Sequence, residues 1–135
     1  MTMTATRALH SLALLALCAA YLEGGVTKLL DFAGAQAEMQ HFGLQPAAPL
    51  AVAVIVLELG ASALVLSGHR RWLGALALGG FTLAASVIAN DFWAMSGPER
   101  SAASHAFFEH LGLAGGFALV AWHDLLGREA EHGRG

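Results

Sequence analysis

The chain has 135 residues, 56% of them hydrophobic and 13% charged, with a mean hydropathy of +0.59 and a formal charge of −3. A soluble domain needs roughly a quarter of its residues charged to cover its surface, which excludes a water-soluble globular fold. With no basic run, a nucleic-acid-binding surface is excluded as well.

The apolar residues fall in four blocks, residues 8–30, 47–66, 72–93 and 104–122, each about 19–23 residues long. At about 1.5 Å per residue, each crosses a hydrocarbon core of about 30 Å. The predicted fold is all-α: a polytopic membrane protein with one domain over residues 1–135, an antiparallel bundle of four transmembrane helices.

The first block follows Arg7 and has the outline of a signal peptide, but no small-residue cleavage site follows and apolar sequence runs on to Leu30. Leu15-Ala16-Leu17-Cys18 resembles a lipoprotein cleavage site, except that Leu17 stands where a small residue is needed. An uncleaved first span is expected. Cys18 is the only cysteine, so the chain has neither a disulfide framework nor an internal dithiol cycle.

In the link that follows, Phe32, Met39 and Phe42 suit one face of a short interfacial helix. The second block contains one ionisable residue, Glu58, near its middle. A carboxyl at that depth costs about 2.5–3.5 kcal/mol on insertion scales and is a functional candidate by default. Ser67 to Arg71 is short enough to force an antiparallel hairpin into the third block. A turn at Ser96-Gly97-Pro98 precedes the fourth, and the polar tail after Asp124 is expected to fray.

Basic residues near the span ends set the orientation. Arg7, Arg70, Arg71, Arg128 and Arg134 fall on one side, Lys28 and Arg100 on the other, which places both termini in the cytoplasm. Trp72 and Trp122 then mark the inner interface and Trp93 the outer one.

Helical spacing groups the polar residues into stripes. Glu23, Thr27 and Asp31 recur at four-residue steps, as do Thr82, Ser86 and Asn90, with Asp91 adjacent. Glu58 precedes Ser62 by one turn, and His105 precedes Glu109 by one turn. Depth places these groups in one leaflet half, the outer one, so the spans are expected to enclose a small polar pocket with Glu23, Asn90 and Glu109 as neighbours of Glu58. The competing reading is structural: polar side chains in membrane helices often only join helices, each bond worth about 0.6–2 kcal/mol. Gly112-x-x-x-Gly116 and Gly80-x-x-x-Ala84 read as packing motifs. The seven histidines make no H-x-x-x-H or H-E-x-x-H pattern, and no metal site is expected. No phosphate loop, dinucleotide fingerprint or nucleophile elbow occurs.

Several short elements resemble the DoxX family. They are Gly25-Val-Thr-Lys28-Leu29, Val56-Leu-Glu58-Leu-Gly60, Ser67-Gly68 with Arg71-x-x-Gly-Ala75, Asn90-Asp-Phe-Trp93, and Phe107-Phe108-x-x-Leu111-Gly112-x-x-Gly-Gly116. The resemblance spans roughly residues 21–122. It implies a bacterial inner-membrane protein of four helices with a link to redox chemistry, since relatives include the membrane subunit of thiosulfate:quinone oxidoreductase. It also places Lys28, Glu58 and Asn90 in the family's polar pattern. The chain departs at Glu109-His110, where many relatives carry Lys-Asn.

Two functions follow as expectations. In the first, the chain is an oxidoreductase component with a quinone as cofactor and a soluble redox protein as partner. Glu58 is then the buried proton carrier, and Glu109 with His105 forms the route from outside. Glu23, Lys28, Asn90 and Asp91 line the substrate pocket. In the second, the chain is a non-catalytic membrane anchor or assembly module for a partner enzyme, and its polar groups fix helix register.

Overall fold

The computed structural model describes residues 2–135, and those residues contain helices and no strand. The helices are α1 (Met3–Leu30), α2 (Phe32–His41), α3 (Ala47–Ser67), α4 (Arg71–Ala89) and α5 (Gly97–His132), with a 3₁₀ turn at Phe92–Ala94. Among the described residues, α1, α3 and the segment Arg71–Ala94 are long and apolar enough to cross a membrane. The chain is therefore a multi-pass membrane protein. The predicted fourth span lies inside α5, whose apolar stretch is interrupted by His105, Glu109 and His110 and is not among those three.

Local chemistry explains most boundaries. The Thr2 hydroxyl caps α1 by accepting the Ala5 N–H at 3.1 Å. Asp31 ends α1 and starts α2: its N–H donates to the Thr27 carbonyl, and its carboxylate accepts the Gly34 N–H at 2.9 Å. Its predicted place in a polar stripe with Glu23 and Thr27 is thus corrected; a two-way cap needs a short acceptor at the helix junction. The predicted hairpin forms at residues 68–70, where Gly68 takes a left-handed φ of 81° and the Arg71 Nε–H donates to the Val65 carbonyl at 2.7 Å. Ser96-Gly97-Pro98 marks a helix start: Gly97 has φ +69° and Pro98 occupies the first turn of α5.

Two expectations about the ends are overturned. The third link is shorter than residues 94–103, because Pro98 initiates helix. The tail does not fray at Asp124; α5 continues to His132 and is about 54 Å long. An Asp124–Arg128 ion pair of 3.1 Å, one turn apart, supports that extension.

Leu14, Cys18 and Tyr21 of α1 share one core with Ala61 and Val65 of α3, Ala75 and Leu78 of α4, and Phe117 and Ala121 of α5. Later residues of α4 meet earlier ones of α5: Trp72 with Asp124, Gly79 with Ala114 and Phe117, Ser86 with His110. The outer surface is apolar, with Leu12, Val56, Leu83 and Leu119 exposed, as suits helices solvated by lipid tails. Lipid is as apolar as leucine, so close packing and polar contacts hold the helices together. The close approaches occur at Gly74, where an added Cβ would lie 2.5 Å from the Ala61 carbonyl, and at Gly25, where it would lie 2.7 Å from Leu59. Gly80 and Gly112 face open space; of the glycines in the two predicted motifs, Gly116 meets another helix, where a Cβ would lie 3.6 Å from Leu17.

Helix α2 forms where expected and packs inward: Ala35 and Met39 are buried against Ala47 and Ala51 at the start of α3. It roofs one end of the polar core.

Candidate functional site

The buried stripe of α3 is Ala51, Ile55, Glu58, Ser62 and Val65, so the glutamate occupies a core position on an otherwise apolar helix. The matching stripe of α1 is Leu14, Cys18, Tyr21 and Gly25, and one turn beyond lies Lys28. The two faces bring the Lys28 Nζ to 3.3 Å from the Glu58 Oε1, with the Glu58 side chain 6% exposed and that of Lys28 15%. Lys28 also stands in the last turn of α1, where the helix dipole favours a cation. Among the described residues Glu58 Oε2 has no hydrogen-bond partner, and it faces Gly24, where an added Cβ would lie 3.1 Å away. A buried acceptor left open is costly and points to a missing partner.

Two cavities meet at this pair. One, of about 250 Å³, lies under α2, between Glu38, Met39 and Phe42 on its roof and Val54 and Ile88 on its walls. The other, of about 280 Å³, is bounded by Tyr21, Glu23, Thr82 and His110. Lys28, Glu58, Phe81 and Ala85 belong to both. A ligand in either cavity meets the same ammonium and carboxylate.

Around the pair the polar groups are ordered. The Tyr21 hydroxyl donates to Thr82, whose own hydroxyl donates to the Leu78 carbonyl at 2.7 Å, and the Tyr21 ring meets Phe117 edge-on at 5.4 Å. His110 Nδ1 lies 3.1 Å from the Ser86 Oγ and accepts from the Asn90 amide at 3.2 Å. With Nδ1 accepting, a neutral His110 carries its proton on Nε2.

The predicted site residues divide. Glu58 and Lys28 are in contact, and Glu23 reaches the edge of the second cavity while accepting from Thr27 at 3.0 Å. Asn90 caps the end of α4 and holds His110, and Asp91 begins the 3₁₀ turn, its carbonyl accepting the Ala94 N–H at 2.9 Å. His105 and Glu109 are exposed on the outer face of α5 and line neither cavity, so Glu109 is not the neighbour of Glu58 that depth suggested. Two residues of the site's hydrogen-bond network went unpredicted: Tyr21 and His110. Among the described residues, no three His, Cys, Asp or Glu side chains converge as metal ligands would.

These features define an all-helical membrane protein with a buried lysine–glutamate pair between two cavities. The DoxX family model matches residues 11–91, more than half of the chain, and the protein belongs to the DoxX family. The match contains Lys28, Glu58, Asn90 and Asp91 and stops short of α5. No curated protein and no solved structure matches the chain.

Proposed function

We infer that the chain is a four-span component of a quinone-linked redox system, with its polar site in the outer leaflet half. In this reading α5 supplies the fourth span of an antiparallel bundle in the bacterial inner membrane, and both termini are cytoplasmic. The basic residues support that orientation, five on the side of the termini and two on the other.

The observation that carries the redox reading is the open Oε2 of Glu58 beside a cavity that also holds an ammonium donor. The residues fit a quinone headgroup. An apolar cavity of about 150 Å³ suffices for one benzene ring, so about 250 Å³ accepts a substituted one. Phe81, Phe42 and Val54 supply apolar walls, and Lys28 Nζ donates toward a carbonyl oxygen. A bound quinone supplies a two-electron, two-proton couple. Glu58 holds a proton at Oε2 or releases it there, while the Lys28 ammonium donates to Oε1 and fixes that oxygen in place. His110 Nε2–H is a second donor at the other cavity. Electrons come from a partner redox protein.

A Glu58→Gln variant keeps the side-chain volume and removes the proton-exchanging group. Wild-type protein in mild detergent is expected to bind a short-chain ubiquinone analogue, followed by quenching of tryptophan fluorescence, and Glu58→Gln to bind it at least about tenfold more weakly. Equal affinity in the two proteins overturns the reading.

The extension of α5 past Trp122 favours a second role, an anchor or assembly module, because it offers a soluble enzyme a helical handle beyond the apolar stretch. There, a co-purifying enzyme survives Glu58→Gln and is lost when the chain ends at Leu126.

A further inference from the structure

At the end of the molecule opposite the lysine–glutamate pair, two further cavities adjoin, where the start of α1, the α3–α4 turn and the last third of α5 come together. They share His10, Arg71, His123 and Asp124. One, of about 340 Å³, runs down an apolar wall of Leu119, Val120 and Trp122. The other, of about 350 Å³, is polar and bounded by Arg128 and Glu131. Leu119 and Glu131 are twelve residues apart on one helix, a rise of about 18 Å from apolar to charged surroundings. A groove apolar at one end and ionic at the other, with an exposed tryptophan at the junction, matches the profile of one lipid molecule at a membrane interface.

The charges select the headgroup. Arg71 uses Nε to bind the Val65 carbonyl, which leaves its terminal nitrogens for an outside acceptor. Gly68 puts no side chain over them: a Cβ there would lie 3.2 Å from Nη2. Arg128 is partly spent on Asp124, whose Oδ2 also accepts the Trp72 N–H at 3.0 Å. Glu131 makes no ion pair among the described residues. His10 and His123, their rings 6.4 Å apart, form the wall between α1 and α5. The rim therefore presents an open guanidinium and an open carboxylate, with two cations and two carboxylates in all. A purely anionic headgroup would satisfy Arg71 and meet Glu131 with like charge. A headgroup carrying a phosphodiester and a primary ammonium satisfies both.

We propose that this groove is a binding site for an aminophospholipid of the phosphatidylethanolamine class, its phosphate on Arg71 and its ammonium on Glu131, with an acyl chain along Leu119 and Val120. The site is independent of the redox reading, because it shares no residue with the Lys28–Glu58 cavities.

Native mass spectrometry of the full chain tests the site, with phosphatidylethanolamine, phosphatidylcholine and phosphatidylglycerol of one acyl composition offered in equal amounts. Retention of phosphatidylethanolamine about fivefold above each of the others is expected, the size of one exposed ion pair. Choline has a cation without N–H donors, and glycerol has no cation. Glu131→Gln changes an exposed residue in the last turns of α5 and is expected to abolish the preference without altering helix content. Arg71→Gln is expected to lower retention of all three lipids. Equal retention of the three by the wild type, or a preference that survives Glu131→Gln, overturns the proposal. So does thermal stabilisation by free O-phosphoethanolamine equal to that by the lipid, which would make the groove a site for a soluble phosphate compound.

Discussion

Replacing Lys28 by Met should destabilise the fold far more than replacing Glu58 by Gln, although both changes remove the same ion pair. The asymmetry comes from depth. Glu58 is the twelfth of 21 residues in α3, about 16 Å from one end and about 14 Å from the other, close to the middle of a membrane-spanning helix. With Lys28 gone it has no counter-charge, and removal of one partner from a buried pair costs about 3–5 kcal/mol. Lys28 sits two residues before the end of α1 and is 15% exposed, so its four-carbon stem can carry the ammonium to the interface once Glu58 is neutral. Glu58→Gln should then cost about 1 kcal/mol, the range of one interhelical bond. The difference of about 2–4 kcal/mol is a factor of about 30–900 in the unfolding equilibrium. Lys28→Met combined with Glu58→Gln should recover most of the loss, since no charge remains buried. Unfolding by SDS titration in mixed micelles, followed by far-UV circular dichroism, measures all four proteins. Equal destabilisation by the two single changes, or a double variant less stable than Lys28→Met, refutes the argument.

Two further predictions concern residues whose roles the fold rearranges. Gly74→Ala should cost about 1–3 kcal/mol, because its Cβ would lie 2.5 Å from the Ala61 carbonyl and force α3 and α4 apart, whereas Gly80→Ala and Gly112→Ala meet open space and should be neutral or slightly stabilising in the same titration. His110→Ala should cost about 1–2 kcal/mol by removing the acceptor that ties Ser86 and Asn90 of α4 to α5, while His105→Ala and Glu109→Ala should stay within about 0.5 kcal/mol of wild type; thermal unfolding in detergent separates the two outcomes.

Much of the fold is legible in the chain because membrane solvation imposes long apolar runs. The helices over residues 8–30, 47–66 and 72–93 lie where the runs lie, and the short link at residues 67–71 admits only a hairpin. Composition misleads at the ends. The last residues, up to His132, look like a frayed tail because they are polar, yet Glu, Arg, Ala and Leu are good helix formers and Asp124–Arg128 and His132 to the Arg128 carbonyl give four-residue support. Polarity there reports exposure and carries no information about where the helix stops.

The site was half legible for a related reason. Glu58 is visible because it is the one charge in its apolar block, and Lys28 because it stands in the Gly25-Val-Thr-Lys28-Leu29 element that carries the family resemblance. Their pairing is not, because it depends on the crossing of α1 and α3 at Gly24 and Gly25, where missing side chains let the helices close. Counting in steps of four finds the buried faces of α3 and α4, Glu58 with Ser62 and Thr82 with Ser86, but selects the wrong faces of α1 and α5. It joins Glu23 to Thr27 and His105 to Glu109, and all four are exposed. Packed helices bury positions that alternate steps of four and three. On α5 that rhythm passes through Ala103, Phe107, His110, Ala114, Phe117, Ala121 and Asp124, each of them buried or half-buried, and on α1 through Leu14, Cys18, Tyr21, Gly25 and Lys28. Both unpredicted residues, Tyr21 and His110, lie on those lines, with apolar or small residues one turn to either side. On α1 and α5 a polar residue matters to the core when it interrupts the apolar seam of its helix, not when it lies one turn from another polar residue. By that criterion His110 and Asp124, rather than His105 and Glu109, are the positions of α5 that the packed interior holds.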